Sequence, residues 1–556
     1  DRADQPVNRS SYPRRYDLDA LRATAMLLGI VLHAGLSFTP FPWAVQDERQ
    51  SGFFWLLFAA IHGFRMPVFF VLSGFFTAML WRGRGLKPLL AHRLRRVLLP
   101  FLLGLVTIVP AVNWLSGWAI ASGLETNAAK AEKDNIWSAA KNGDLVAIER
   151  HVQDGADING IDPAFGQTPL VWAALVGQLE VVDWLLQNGA AVNGRTKDGG
   201  TPLHAAAFLG RVEVAKLLLQ HGADIEAKNN NGDTPRTALK VEWELTRYLA
   251  GLLQIEFDAR QVEDGRVEIA GLFGQSSSGD SREKTDKAEE KSAEFLKAMA
   301  SPIFAVPLFH HLWFLWFLCW LVLVFALYAR LADWLQWQGP PKWLVLSPVR
   351  FLYLIPLTMI PQSLMGLVVP SFGPDTSTGL LPMPHILLYH ALFFFFGALY
   401  FDCDDPDGRV GKWWWLALPV GLFIVFPFGL EFSTGAFGFR QEIFDPAMAR
   451  TAAVALQVIY AWMMTFGFIG LFRKLCIREN KTIRYLSDSS YWLYVTHVPL
   501  IIGAQLAVRD WPLASGVKYF LVFLAVTGFL LLIYQFLVRY TWLGRLLSGP
   551  RVRPTS

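Results

Sequence analysis

The chain has 556 residues, 53% of them hydrophobic and 14% aromatic, with 22 Trp and 42 Phe and a formal net charge of +4. So apolar a composition excludes an ordinary soluble globular protein and a disordered chain, and implies many crossings of a bilayer. The three cysteines, Cys319, Cys403 and Cys476, are far apart and fall in or beside apolar stretches, so they define neither a disulfide framework nor a metal site and read as packing residues.

Ten stretches are long and apolar enough to span: residues 18–38, 53–80, 97–120, 303–329, 350–369, 385–401, 413–430, 449–472, 486–505 and 518–538. The first follows a polar tail, residues 1–14, and carries Arg22 and His33. No small-residue cleavage site follows it, so it reads as a retained span. Eleven residues at about 100° and 1.5 Å each return a helix to the same face, leaving the two side chains in line roughly 16 Å apart. Ionisable groups inside a membrane are expensive, which makes this pair the leading functional-site hypothesis. A snorkelling arginine and a core histidine satisfied by a neighbouring helix fit the same spacing.

In the second span Arg65 lies one turn after His62, and Ser73-Gly74 follows Phe69-Phe70. Arg65 suits a polar acceptor cavity and, equally, a side chain snorkelling to the outer interface. Ser73 and Gly74 favour close helix packing over nucleophilic chemistry, since no G-x-S-x-G elbow is present. Arg93, Arg95 and Arg96 precede the third span. They either widen an electropositive donor site or simply mark topology.

After the third span the character changes. Residues 125–300 hold 28 acidic and 19 basic residues and no segment able to cross a membrane. Thr168-Pro169-Leu170, Thr201-Pro202-Leu203 and Thr234-Pro235-Arg236 recur every 33 residues, and Gly155-Ala156, Gly189-Ala190 and Gly222-Ala223 keep nearly the same period. The unit resembles an ankyrin repeat, most clearly in GGTPLHAAAFLGRVEVAKLLLQHGADIEAKNNNGD. Residues 134–250 would form about three repeats and a divergent cap, available to a protein partner or serving as a spacer. Residues 275–292, QSSSGDSREKTDKAEEKS, read as a flexible tether.

Beyond the tether, His311, Trp313 and Trp316 open the next span. Tyr491, Tyr494 and His497 share a stripe of the ninth by their i, i+3, i+6 spacing. These could line a sugar site; an aromatic belt and a satisfied core histidine account for them as well. Outside residues 121–300 the 31 Lys and Arg are segregated, with 25 on or beside one set of alternate loops, only five on the other, and Arg65 inside a span. The positive-inside rule therefore assigns both termini to the cytoplasm and, after three crossings, the repeat array to the opposite side.

Several stretches together, YDLDALRATAMLLGIVLHAG, FRMPVFFVLSGFFTAML, HRLRRVLLPFLLG, HHLWFLWFL and SYWLYVTHVPL, resemble the membrane-bound acyltransferase 3 family, and within it the glucan biosynthesis protein C-like branch. The resemblance covers both flanks of the insertion, which departs from the family's usual pattern. Its arginine, ten residues, then histidine signature maps onto Arg22 and His33. It implies transfer of an acyl group, succinyl or acetyl, from cytoplasmic acyl-CoA to a hydroxyl of a cell-envelope glycan, in a bacterial inner membrane.

On this reading His33 is the general base and Arg22 assists at the donor end, with Arg93, Arg95 and Arg96 binding the donor. Arg65, Ser73, Gly74, His311, Trp313, Tyr491 and His497 are left for the acceptor or for structure. Acyl-CoA is the co-substrate, with no bound cofactor or metal expected; the partners are the bilayer, the glycan and a protein at the repeats, and nucleic acid is not among them. An ankyrin-bearing scaffold or receptor and a transporter of acyl groups are the alternatives. The expected architecture is mainly α: a polytopic bundle of about ten spans in two parts, residues 1–124 and 301–556, around an ankyrin solenoid, 125–274, and a linker, 275–300.

Overall fold

The computed structural model describes residues 14–39, 43–131, 135–274, 308–367, 371–438 and 446–549, apart from scattered positions at 163–164, 231, 242–256 and 338. The proposed tether at 275–292 lies outside the described residues. The chain divides into two compact units, residues 1–120 with 291–556, and residues 121–290.

In the first unit nine helices among the described residues are long and apolar enough to span a bilayer. They are α1 (Tyr16–Phe38), α2 (Gly52–Arg84), α3 (Leu86–Gly123), α4 (His310–Trp334), α6 (Pro384–Cys403), α7 (Trp414–Thr434), α8 (Met448–Leu475), α9 (Lys481–Val508) and α10 (Ser515–Val538). Helices are the expected solution, because each backbone polar group must find its partner within the segment when lipid offers none. Ends are fixed locally: the Asn480 side chain accepts from the Thr482 and Ile483 amides to start α9, and Gly85, at φ +80°, ends α2.

The stretch expected to span at 350–369 differs. It forms α5 (Arg350–Gln362), 13 residues with Pro356 and Pro361 inside, which rises only about 20 Å. Each proline removes a backbone donor and crowds the preceding turn, so the apolar run does not continue as one long helix. The alternation of direction nevertheless survives. Arg350 donates to the Val410 carbonyl near the end of the bundle where Arg82 pairs with Asp402. Gln362, at the far end of α5, donates to the carbonyl of Gly373, which packs on His62 and Gly63.

Helices α2 and α6 cross at backbone contact. A Cβ on Gly74 would stand 1.7 Å from the Phe394 carbonyl oxygen, and one on Gly397 would stand 1.9 Å from that of Val71. Only glycine permits so close an approach. At the opposite end of the bundle from Arg82, the loop between α1 and α2 is tied down by a buried ion pair. Lys518 Nζ lies 2.7 Å from Asp47 Oδ2, with both side chains 2% exposed, and Lys518 also donates to the Arg509 carbonyl.

The second unit stacks helix pairs Ile136–Asn142 with Leu145–Gln153, Pro169–Val176 with Leu179–Gln187, and Pro202–Phe208 with Val212–Gln220, followed by a single turn, Pro235–Ala238. Proline at the first helical position costs no hydrogen bond, and the preceding threonine caps the helix: Thr168 Oγ1 accepts from the Val171 amide. His204 belongs to the next cap, where its Nδ1 accepts from the Thr201 amide and its Nε2 meets the Asp233 carbonyl at 3.0 Å. Burial pushes this imidazole below its ordinary value and keeps it neutral. Asn159 and Asn193 each bridge to the next repeat, accepting from the amides of Ala191 and Asp224 and donating to the carbonyls of Gly189 and Gly222.

The core of this unit takes in residues beyond 250 as well. Helix Ala259–Gly274 buries Val262, Ile269 and Phe273 in the same core, and Arg266 clasps the Phe208 and Val241 carbonyls.

Removing one member of the Lys518–Asp47 pair strands a charge in an apolar interior. Lys518→Met or Asp47→Leu is expected to cost about 3–5 kcal/mol, and the double variant to recover most of that loss. Thermal unfolding of the four proteins in one detergent measures the cycle; equal losses in the single and double variants would contradict it.

Candidate active site along helix α1

Helix α1 presents Arg22, Met26, Gly29 and His33 on one face, at i, i+4, i+7 and i+11. Each end of that face meets a different environment.

At the Arg22 end is a cavity of about 240 Å³, lined by Arg22, Met26, Phe69, Ser73, His92, Arg93, Arg96, Ser487 and Tyr491 among others. Arg22 donates to Asp19 and to Ser487 Oγ, both at 3.1 Å, and lies over the Phe76 ring. Arg93 donates to Thr77 Oγ1 at 2.6 Å, while its Nε is buried with no partner. Arg93 and Arg96 thus face the cavity together. Arg95, expected beside them, does not: it is exposed and absent from the lining. It sits inside the π-helical turn Leu94–Leu98, where residues adjacent in sequence point in different directions. Asp488 also lines this cavity, and Arg22 is ion-paired with Asp19. A larger cleft of about 690 Å³ is lined by Arg15, Arg82, Asp333, Tyr400, Asp402 and Asp405 among others, with Arg15 paired to Asp17 and Arg82 to Asp402; it carries four carboxylates in its wall where the smaller cavity has one.

At the other end His33 Nδ1 lies 2.8 Å from His497 Nε2. The proton positions follow from what lies behind. His497 Nδ1 is 2.8 and 3.1 Å from the carbonyl oxygens of Tyr494 and Leu493, and a carbonyl can only accept, so Nδ1 carries the proton. His497 Nε2 then accepts, His33 Nδ1 donates, and the lone pair of His33 is left on Nε2.

A roof closes over this pair. Trp43 stacks on His33 with ring centroids 6.1 Å apart and 10° between planes, and its Nε1 donates to Gln505. Gln505 in turn donates to the carbonyls of His33 and Ala34. The ion pair at Asp47 fixes the loop that carries Trp43.

Two more histidines flank the pair, each held by a backbone carbonyl: His311 Nε2 at 3.1 Å from Val495 and His62 Nε2 at 2.8 Å from Pro374. The Tyr494 hydroxyl donates to the His311 carbonyl at 2.6 Å, and Tyr491 stacks on Tyr494 while lining the basic cavity. Arg65 does not snorkel; it is 8% exposed and its Nη1 occupies the notch left by Gly29. Ser73 faces the cavity, whereas Gly74 makes the helix crossing. Trp313 packs with Phe70, Phe317 and His390 in the aromatic core, apart from the His33–His497 pair. Trp316 donates to the Leu380 carbonyl.

Sequence reasoning missed Trp43, Gln505, Lys518 and Asp47. A glutamine and a lysine inside apolar spans were the available signal, because polar groups there need partners.

Fold and site together define a polytopic membrane protein with a basic cavity at one end of α1 and, at the other, a histidine relay between α1 and α9, carrying an inserted repeat unit. Residues 15–172 and 269–537 match the acyltransferase 3 family, an acyltransferase domain, and the chain belongs to that family. Residues 136–229 match three copies of the ankyrin repeat. The two matches overlap at 136–172, where the structure has paired repeat helices, so that stretch belongs to the insertion.

Over 90 residues the chain is 43% identical to the glucans biosynthesis protein C of Salmonella paratyphi B, and equally to that of Salmonella heidelberg. The match spans 16% of this chain and 23% of the length of each relative.

The hydrogen-bond chain predicts one tautomer for His33. In protein labelled with ¹⁵N-histidine, His33 should show a protonated Nδ1 and a bare Nε2, and His497→Ala should convert it to a tautomer mixture. A bare Nδ1 in the parent protein would refute the assignment.

Proposed function

We propose that the protein is an integral-membrane O-acyltransferase that moves an acyl group, succinyl or acetyl, from acyl-CoA to a hydroxyl of a cell-envelope glycan. The observation that carries this reading is the His497–His33 relay, set on the same helix as the wall of the basic cavity. His33 Nε2 takes the acceptor proton, and His497 fixes the ring so that this nitrogen stays available. Arg22, Arg93 and Arg96 hold the phosphates of the donor, for which the planar guanidinium fork is suited. Membership of the acyltransferase 3 family supports the reaction class, and the name of the Salmonella relatives, glucans biosynthesis protein C, supports a glycan acceptor.

The protein sits in a bacterial inner membrane, as the Salmonella relatives support, and the segregation of basic residues supports a cytoplasmic Arg22 end, with the repeats on the other side and open to a protein partner. Labelling of single cysteines near residues 90 and 200 tests the orientation: the first should react only from the cytoplasm, the second only from outside. Cytoplasmic reaction near residue 200 would overturn it.

Activity is tested with the purified chain in lipid nanodiscs, an acyl-CoA and a glucan, reading the mass increment of the product. His33→Ala should lower turnover about 10²- to 10⁴-fold at saturating donor while the protein remains folded. Arg22→Ala should instead raise the KM for the donor. Near-normal turnover in folded His33→Ala would remove His33 as the base.

A further inference from the structure

Among the described residues Arg65 is a buried cation without a counterion. Its guanidinium has no hydrogen-bond or ion-pair partner among the described residues, its Nε is sealed from solvent and unsatisfied, and the side chain is 8% exposed. An unpaired charge in such a place is costly, and proteins retain one where it serves a ligand. The neighbours do not supply a negative charge. His33, His62, His311, His497 and Tyr494 all lie within electrostatic reach of Arg65, and the histidines are held through carbonyls or through one another.

The position is specific as well. Arg65 Nη1 would stand 2.3 Å from a Cβ at Gly29, so it sits against α1 between Met26, which lines the basic cavity, and His33. An acyl group carried along α1 from the cavity to the base would bring its reactive carbonyl past this guanidinium.

We propose that Arg65 is a catalytic residue that binds the oxyanion of the tetrahedral intermediate; this rests on the acyl-transfer reading given above. As the acceptor hydroxyl oxygen bonds to the thioester carbonyl carbon, His33 Nε2 takes the hydroxyl proton and the carbonyl π pair moves onto oxygen, opposite Arg65. Collapse re-forms the C=O bond and breaks the C–S bond. The CoA thiolate leaves with the bonding pair and recovers the proton from His33, giving the ester and free CoA thiol. A preorganised cation in a dry site acts most strongly where charge develops.

The test compares the parent with Arg65→Met and Gly29→Ala in nanodiscs, using succinyl-CoA and acetyl-CoA separately and recording thermal midpoints. Arg65→Met should lower kcat about 10²- to 10³-fold with either donor, with little change in KM, and leave the midpoint unchanged or raised, because a stranded charge has gone. Gly29→Ala pushes the guanidinium aside through the flexible end of its side chain. It should reproduce the kcat loss and decides the matter if Arg65→Met fails to fold. Parent-like kcat in folded Arg65→Met or Gly29→Ala overturns the proposal while leaving acyl transfer intact. A loss confined to succinyl-CoA also overturns it, assigning Arg65 to the acyl group's own carboxylate. A parent chain inert to both donors defeats the acyl-transfer reading itself, and this proposal with it.

Discussion

The close crossing of α2 and α6 sets the geometry on which the rest of the bundle depends. Gly74 lies against the Phe394 carbonyl and Gly397 against that of Val71, so the two backbones touch with no side chain between them. This fixes α2 in depth and rotation. Arg65, Ser73 and Arg82 all ride on α2, and their positions beside Gly29, in the basic cavity and opposite Asp402 follow from that placement. In lipid, where little hydrophobic drive acts between helices, such van der Waals contact is what association rests on.

Many polar groups in the apolar interior are paired. His62, His311 and His497 are anchored by carbonyls, Lys518 is neutralised by Asp47, and Gln505 spends both ends of its amide on Trp43 and the α1 carbonyls. Unsatisfied groups are costly in this setting, which is why Arg65 stands out. Among the described residues it is not alone: Arg93 Nε, Trp320 Nε1 and the Tyr491 hydroxyl are buried without partners, as are both ring nitrogens of His390, whose ring stacks on Phe70. That ring also packs against Trp313 and Phe317, as an aromatic filler would.

Local periodicity made part of this legible. The alignment of Arg22 with His33 follows from the helix repeat alone, and the 33-residue recurrence of Thr-Pro specifies the solenoid. What stayed hidden were partnerships between residues far apart in the chain. His497 meets His33 across 464 positions and Lys518 meets Asp47 across 471, and no local rule pairs them. Arg95 shows a different limit: a run of arginines reads as one patch until the helical phase separates its members. In α5, hydropathy outweighed two prolines whose effect on length was open to reading.

That short helix also bears on the surrounding lipid. Leu352, Leu357 and Ile360 are exposed on α5, so its outer face meets acyl chains over a rise of about 20 Å where a typical hydrocarbon core is ~30 Å thick. Leu364 and Leu367, exposed just beyond it, carry the apolar surface on without the helix, and any mismatch that remains costs a fraction of a kcal/mol for each ångström. Lipid chain length thus becomes a variable that acts on this flank without touching a single residue of the site.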